Sequence, residues 1–478
     1  MQIAVPVGYV LIKQVDYEQL LKEHEQLYRD NEQLRKTVEV LMARVKELEG
    51  MLHKDSRNSH KPPSSDAFRK PIKNSRIKGE RPQGGQAGSE GTTLKMVKDP
   101  DKQVRCKVKG ICLCGASLDE LPAVRIEKRQ EFDLPSKLIE VTEYEVEVKK
   151  CVCGKEHKAE CPVQAPVQYG KRIQALAIGL NQYQMLPYER LQEFFRDYFQ
   201  VSVSDWWLNK TNEVCYENLA PAEEGIKQVL IRSDVLHSDE TGLRSAGKRQ
   251  WVHVAGTATH THYDIHAKRG KEAMDAIGIL PHFTGSSVHD RYGSYEKYTN
   301  CQHANCNAHH LRDLLYIEEE MGRKWAKRMR RFLIWSNHLK KQGQLNETVI
   351  AALLQQYDTI LNKASWEEPP DIPTELGKRG RKAKNKSKRL IETLQQKKEQ
   401  TLRFLLYPKV PFDNNQAERD LRMIKVKQKI SGCFRTLHGA KVFCRIRSYI
   451  STAKKQGYTV LDAMVAALNK QPYFVKVP

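Results

Sequence analysis

The sequence lacks any long hydrophobic run, since nothing in its 478 residues approaches the roughly 18 consecutive apolar residues of a membrane-spanning helix. The opening stretch, Met1 to Lys13, also lacks the basic start and the small-residue cleavage site of a secretion signal. These absences argue against a membrane protein and against a secreted one. They predict a soluble, cytoplasmic protein.

The sequence has fewer acidic residues than basic ones. The chain has 58 Asp and Glu against 80 Lys and Arg, which leaves a formal charge of +22. Such a balance favours a polyanionic partner, with nucleic acid ahead of an anionic membrane surface. The length predicts about three domains. Because the 11 cysteines are scattered and no secretion signal precedes them, reduced thiols or metal ligands are favoured over disulfides.

A heptad pattern runs from Tyr17 to Leu52. Leucines recur at one position of the heptad, namely Leu20, Leu27, Leu34, Leu41 and Leu48. The matching a positions are His24, Asn31, Val38, Val45 and Leu52. Val at a, Leu at d and one Asn at a favour a parallel dimer. We therefore predict a dimerising coiled coil over residues 1–53; the alternative is an amphipathic helix packed on its own chain.

Two short Cys motifs follow a basic Gly/Pro/Gln-rich stretch, residues 54–93, which reads as a flexible linker. The motifs pair Cys112 with Cys114 and Cys151 with Cys153, and each ends in Gly. Zinc prefers four soft ligands in a tetrahedron, so residues 94–165 are predicted to form a small zinc-finger-like domain. The Cys-x-Cys spacing leaves plain thiols as the alternative. Cys106, His157 and Cys161 are candidate replacements for any of these four ligands. Between the two motifs, polar and apolar residues alternate at 138–142, which is typical of a strand.

Residues 166–230 have a helical pattern. Ile173, Leu176 and Leu180 share one face, and Ser204 is placed to cap a helix that begins at Asp205. Two helices joined by a short turn could read DNA, so this segment is predicted to be helical and DNA-binding. A core role for its aromatic residues is the alternative.

Acidic residues end two predicted strands. The apolar run Val235-Leu236 leads into Asp239 and Glu240, and a second run leads into Asp290. Because side chains alternate along a strand, only one residue of the adjacent pair can face a given site, and we predict that it is Asp239. A carboxylate at a strand end is well held for a hard cation.

Four motifs together resemble a known family. They are Ser59-His60-Lys61-Pro62-Pro63-Ser64-Ser65-Asp66, Asp239-Glu240-Thr241, Cys306-Asn307-Ala308-His309-His310-Leu311-Arg312 and Pro411-Phe412-Asp413-Asn414-Asn415-Gln416-Ala417-Glu418-Arg419-Asp420. In this order, the chain resembles the DDE transposases of the insertion-sequence 66 family. The resemblance runs from the linker to the C-terminus.

The resemblance implies a multidomain α/β protein whose catalytic domain, residues 231–478, is ribonuclease-H-like with a helical insertion at about 313–410. It implies an acidic triad of Asp239, Asp290 and Glu418, with His309 and Arg312 as a supporting motif. Three carboxylates repel one another, so two Mg²⁺ ions, or Mn²⁺, would be expected between them. Asn415 and Glu418 also have the spacing of a helix capping box, which is the structural alternative for Glu418.

Basic residues provide a candidate DNA surface. The loop that holds Arg379, Arg381 and Lys382 can clamp phosphates, and Arg419, Arg422 and Lys425 follow Glu418 directly. The partners expected are the terminal inverted repeats of a mobile element, target DNA, a second copy of this chain and accessory proteins of the element. A bacterial, nucleoid-associated location and no membrane partner follow from that.

Two other functions fit parts of the sequence. A dimeric zinc-finger regulator would bind DNA without cleaving it. A ribonuclease-H-like nuclease would cut DNA and never join it. Joining of DNA ends distinguishes the transposase from both.

Overall fold

The structure, a computed structural model, shows a mixed α/β protein. It describes residues 14–52, 54, 58–59, 94–115, 117–119, 122–135, 137–368 and 385–474. Residues 1–70, 169–196 and 201–478 form a larger unit, and residues 71–168 with 197–200 form a smaller one. Residues 1–13, most of the predicted linker 54–93 and the predicted DNA contacts Arg379, Arg381 and Lys382 lie outside the described residues.

The heptad segment forms one long helix, α1 (Gln14–Leu52). Its predicted d-position leucines are more than half exposed in the single chain, at 55% for Leu20, 67% for Leu27, 63% for Leu34 and 58% for Leu41. The helix prediction is confirmed, and the alternative of a face packed on the same chain does not hold for these leucines.

The smaller unit has little regular structure. Strands β1 (Val148–Lys150) and β2 (Glu156–Lys158) form an antiparallel hairpin around the second Cys motif. The alternating segment 138–142 is irregular, so the strand-like interpretation of it was wrong. Its side chains are mostly exposed on both faces, and alternation alone does not make a strand without a partner to pair with.

Between the smaller unit's hairpin and the central sheet, the described residues form four helices: α2 (Lys171–Ile178), α3 (Tyr188–Phe199), α4 (Asp205–Asn218) and α5 (Ala220–Ile231). A π-helical turn, Gly179–Tyr183, continues α2. The predicted cap is present, because the Ser204 hydroxyl accepts a hydrogen bond from the Trp207 backbone N–H at 3.2 Å.

The sheet consists of β3 (Val235–Ser245), β4 (Lys248–Gly256), β5 (Thr261–His266), β6 (Ser286–His289) and β7 (Gln302–Asn305). Its five strands lie in the order β5-β4-β3-β6-β7. The first three are antiparallel neighbours, whereas β6 runs parallel to β3 and β7 parallel to β6. Consequently β3, β6 and β7 all end toward the same edge of the sheet.

Helix α6 (Lys271–Ile277) joins β5 to β6. Within the described residues between β7 and α12, the chain forms five helices: α7 (Asn307–Met321), α8 (Lys324–Lys341), α9 (Glu347–Glu367), α10 (Lys386–Gln396) and α11 (Lys398–Leu406). They share an apolar cluster that includes Leu314, Trp325, Phe332, Tyr357 and Leu402. The last three helices are α12 (Asn415–Ser431), α13 (Leu437–Lys455) and α14 (Val460–Leu468).

Apolar clusters cover both faces of the sheet. Val254 and Tyr263 pack with Leu421 of α12 and Phe443 of α13, and Leu236 packs with Ile226 of α5. Helices α2 and α4 share a further cluster with α13 and α14. The segment predicted to bind DNA is thus part of the same apolar core as the C-terminal helices. In the described part of the chain, no helix is long and apolar enough to span a bilayer.

Candidate active site

Parallel strands β3 and β6 position the two predicted aspartates. Val235 pairs with Ser286 and His237 with Val288, so the same register, continued by two residues, puts Asp239 level with Asp290. Adjacent strands lie about 4.8 Å apart. The Asp290 carboxylate is held by the Tyr292 backbone N–H, which donates to Oδ1 at 2.8 Å.

Asn414 holds the start of α12 against the same edge of the sheet. Its Nδ2 donates to the Ser238 carbonyl at 2.8 Å, and its Oδ1 lies 2.9 Å from His237 Nδ1. Its backbone N–H donates to Cys306 Sγ at 3.1 Å. Because Glu418 lies in the first turn of α12, these bonds place its carboxylate near β3 and near the start of α7.

The electrostatics of Asp239 report this proximity. Burial raises the pKa of Asp239 most, followed by the charge of Glu240 and then by the smaller effects of Asp290 and Glu418, and together they bring it to about 8. The Glu240 backbone N–H, which donates to Asp239 Oδ1 at 2.8 Å, acts in the opposite direction. Asp239 therefore interacts electrostatically with both Asp290 and Glu418.

Glu240 occupies a separate, buried environment. Arg269 Nε donates to Glu240 Oε1 at 2.8 Å, and Arg269 Nη2 lies 2.7 Å from the same oxygen. The Tyr295 hydroxyl donates to Glu240 Oε2 at 2.5 Å. Burial raises the pKa of Glu240, and its bonds to Tyr295 and Arg269 counteract that rise. The adjacent acidic residues thus have different surroundings, as the alternation of side chains predicted.

Side chains of the Cys306–Arg312 motif lie beside Glu418. His309 Nε2 is 4.0 Å from Glu418 Oε1, and Cys306, the N-cap residue of α7, is buried. One ligand atom from each of Cys306, His309 and Glu418 lies within 4.8 Å of the others, which makes them a candidate metal-binding group among the described residues. Arg312 is half-buried one turn further along α7.

The helix cap proposed as an alternative for Glu418 is not formed. Asn414, not Asn415, is the N-cap residue of α12, and the Glu418 backbone N–H donates to the Asn414 carbonyl at 3.2 Å. Glu418 is therefore the fourth residue of the helix instead of the third that a capping box requires. The Glu418 carboxylate instead lies beside His309.

Cations extend from Glu418 along one face of α12. Arg422, Lys425 and Lys429 follow Glu418 at spacings that place them on the same side of a helix, and all three are exposed. The Lys425 ammonium donates to the Gly242 carbonyl at 3.4 Å. Arg419 is also exposed and donates to Gln416 Oε1 at 3.0 Å.

The smaller unit holds two similar Cys turns. The Gly115 N–H donates to the Cys112 carbonyl and the Gly154 N–H to the Cys151 carbonyl, each at 2.8 Å, and both glycines have φ of +87°. Hydrogen bonds from Cys114 lower the pKa of Cys112, and Cys153 does the same for Cys151. Within the described residues, these four exposed thiols do not come together as one metal-binding group.

Two features of the site were missed in the sequence. Asn414 belongs to the motif at residues 411–420, but no sequence pattern indicates that its hydrogen bonds connect β3 to the start of α7. Cys306 was read only as part of a motif and not as a ligand beside Glu418. A scan for Cys, His and carboxylates within the two motifs would have identified the three residue types, although not their proximity.

Two protein-family models match parts of this sequence. A family model described as "Transposase IS66 family" matches residues 166–442, more than half of the chain. A second, described as a family of unknown function (DUF6444), matches residues 14–95. No curated protein matches the chain.

Proposed function

The chain belongs to the IS66 family of transposases, and from that premise we propose that it cleaves the ends of a mobile DNA element and joins them to target DNA. The observation that supports this most directly is the electrostatic coupling of Asp239 with Asp290 and Glu418. The register of β3 and β6, which puts Asp239 level with Asp290, and the bond from Asn414 to β3 next to Glu418 also support the proposal.

The donor set fits divalent cations of the kind this family uses. Three carboxylates supply hard oxygen ligands, and a cation bound among them would favour the ionised form of Asp239, whose pKa is raised by burial and by neighbouring carboxylates. Asp239, Asp290 and Glu418 would hold two Mg²⁺ or Mn²⁺ ions, which when bound activate the attacking oxygen and stabilise the leaving one.

Other residues of this chain orient the cluster and the DNA. The Glu240 carboxylate, fixed by Arg269 and Tyr295, holds the strand segment next to Asp239. The cations at Arg422 and Lys425 would bind the phosphates that lead to the cluster, with Arg419 beside them. Arg379, Arg381 and Lys382 are proposed to contact DNA on the strength of their sequence alone.

We propose that residues 231–478 form a ribonuclease-H-like catalytic domain with a helical insertion at about 313–410. The order β5-β4-β3-β6-β7, with three antiparallel strands extended by two parallel ones, supports this assignment. So does the position of Asp239 within β3 and of Asp290 directly after β6. The five helices α7 to α11 interrupt the path between β7 and α12.

The remaining domains are proposed as follows: 1–53 a dimerising coiled coil, 54–93 a linker, 94–165 a zinc-finger-like domain and 166–230 a helical segment that contacts DNA. The equivalent turns at Cys112–Gly115 and Cys151–Gly154 support zinc, because each offers a pair of thiols in the same conformation. We further propose homodimers that act on the terminal repeats in the bacterial cytoplasm.

Strand joining tests the proposed function. The full chain is incubated with Mg²⁺ and DNA that carries the element's pre-cut 3′-OH ends, and joined products are counted. We expect joining, and a loss of at least about a thousandfold in Asp239→Ala, Asp290→Ala and Glu418→Ala.

Asp264→Ala is the matched control. Asp264 lies on β5 of the same sheet and accepts a hydrogen bond from the following backbone N–H at 2.7 Å, as Asp239 does. Cutting without joining would indicate the nuclease, and metal-independent binding without cutting would indicate the regulator. Full activity in Asp239→Ala would contradict both enzyme functions.

A further inference from the structure

The starts of α7 and α12 bring three different metal ligands together. Cys306 caps α7, and its carbonyl accepts a hydrogen bond from the His309 N–H at 3.2 Å, so one turn of backbone holds both side chains. Glu418 comes from the first turn of α12, and the Asn414 N–H bound to Cys306 Sγ joins the two helix starts. All three ligand atoms lie within 4.8 Å of one another.

The spacing suits a bridging ion better than a direct contact. His309 Nε2 and Glu418 Oε1 are 4.0 Å apart, beyond the roughly 3.2 Å limit of a good N–H···O hydrogen bond. Two ligands bound at about 2.1 Å to a tetrahedral ion lie about 3.4 Å apart. Small side-chain movements would therefore allow both atoms to bind one ion.

The ligand types select the ion. Thiolate and imidazole favour Zn²⁺ and similar borderline cations, whereas Mg²⁺ prefers oxygen ligands. The three residues leave one position of a tetrahedron open, as in zinc sites that keep a water molecule. Burial raises the pKa of the Cys306 thiol to about 12, and the Asn414 N–H that donates to Sγ offsets only part of that rise, so the bound cation itself would have to stabilise the thiolate.

We propose that Cys306, His309 and Glu418 form a binding site for a borderline divalent cation such as Zn²⁺, and that this ion competes with catalysis for Glu418. On binding, the Cys306 thiol releases its proton to solvent and the sulfur coordinates the ion. The competition rests on the proposed function, because only there does Glu418 serve a second set of ions. The binding site itself does not depend on it.

Cobalt provides the binding test, because a thiolate bound to Co²⁺ absorbs strongly in the near ultraviolet. Co²⁺ is titrated into full-length wild type, Cys306→Ser and Cys215→Ser. Cys215 is a matched control, since it is a buried thiol in a different apolar cluster. All three proteins keep the Cys-x-Cys pairs, so absorbance from those pairs cancels in the difference spectra.

We expect Cys306→Ser to lose absorbance equivalent to one thiolate per chain, and Cys215→Ser to lose none. His309→Gln, which keeps the thiol, should weaken Zn²⁺ binding by at least about tenfold. This second variant keeps the proposal testable should Cys306→Ser fold poorly. Equal Co²⁺ spectra for Cys306→Ser and wild type, or unchanged Zn²⁺ affinity in His309→Gln, would overturn the proposal.

Inhibition is measured separately in the strand-joining assay, at fixed Mg²⁺ with increasing Zn²⁺. Joining by wild type and Cys215→Ser should fall at least tenfold over the concentrations at which Zn²⁺ binds, and Cys306→Ser should lose this sensitivity. A chain that binds Zn²⁺ at Cys306 yet joins no DNA would contradict the proposed function and not the site. Zn²⁺ binding at Cys306 with undiminished joining would refute the competition for Glu418.

Discussion

Negative charge at Asp239 is unfavourable in the folded protein without a cation. Its pKa is raised from an ordinary 3.8 to about 8, first by burial and then by neighbouring carboxylates. Between these two values the folded protein binds a proton that the unfolded chain has released. Folding stability contributed by this group therefore falls as pH rises from 3.8 to 8.

Asp239→Asn should remove that pH dependence. In EDTA, the Tm of the variant minus that of wild type should increase by at least about 2 °C between pH 6 and pH 8. Mg²⁺ binds the ionised carboxylates, so its stabilisation of wild type should increase over the same range and be lost in the variant. Tm values from scanning calorimetry at both pH values, with and without Mg²⁺, measure these differences.

Asp264→Asn serves as the control and should show neither effect. A variant Tm that tracks wild type at every pH would show that Asp239 carries no unfavourable charge. A Mg²⁺ stabilisation retained in Asp239→Asn would place the metal elsewhere.

Helix α12 combines two roles at the scale of the element. Its first turn contributes Glu418 to the acidic cluster, and the same face continues with exposed cations. Its position is fixed by Asp420, whose Oδ2 accepts a hydrogen bond from Lys455 Nζ of α13 at 2.9 Å and whose carbonyl accepts one from the Tyr263 hydroxyl of β5 at 3.0 Å. A rigid helix with a carboxylate and cations on one face is suited to the proposed binding of a DNA backbone beside Glu418.

Removing cations from this face should weaken DNA binding without sequence preference. Arg422→Ala and Lys425→Ala should each lower affinity and reduce the slope of log K against log salt by about 1. Fluorescence anisotropy with labelled duplex at several salt concentrations measures both quantities. Lys363→Ala on α9, an exposed cation on another helix, is the control and should leave the slope unchanged. Slopes equal to wild type in both α12 variants would exclude this face from the DNA path.

Assembly belongs to the scale of the whole molecule. Helix α1 exposes a leucine at every heptad from Leu20 to Leu41, and Val38 and Val45 of the a positions are 48% and 54% exposed. Apolar side chains at this spacing bury their surface against a second helix of the same pattern.

Charge in the leucine stripe should separate the dimer. Leu27→Asp with Leu34→Asp should convert the full chain to a monomer of 55.1 kDa, because each burial of Asp in a coiled-coil core is strongly unfavourable. Gln33→Asp introduces the same charge outside the a and d positions and should leave the dimer intact. Sedimentation equilibrium determines the mass of each protein. A double variant that remains dimeric would assign dimerisation to another surface.

Local patterns explain what could be predicted before any coordinates. The heptads of α1, the Ser204 cap and the strand that ends before Asp290 were predictable, because periodicity and capping depend on residues close in sequence. The prediction that a strand ends at Asp239 was wrong, because β3 continues to Ser245 where it pairs with β4. The separate environments of Asp239 and Glu240 followed from alternation along a strand. The assignment of Glu418 came from resemblance to a family, since its spacing from Asn415 fitted a helix cap equally well.

The sequence by itself determined helix α1, the Ser204 cap, the basic character of the chain and the motifs that identify its family. Only the tertiary structure decided which residues meet at the sheet edge. Asn414 links β3 to α7, Glu418 lies beside His309 and Cys306, and Arg269 neutralises Glu240. These contacts join residues far apart in the chain, and their geometry depends on how helices pack on the sheet, which no local pattern encodes.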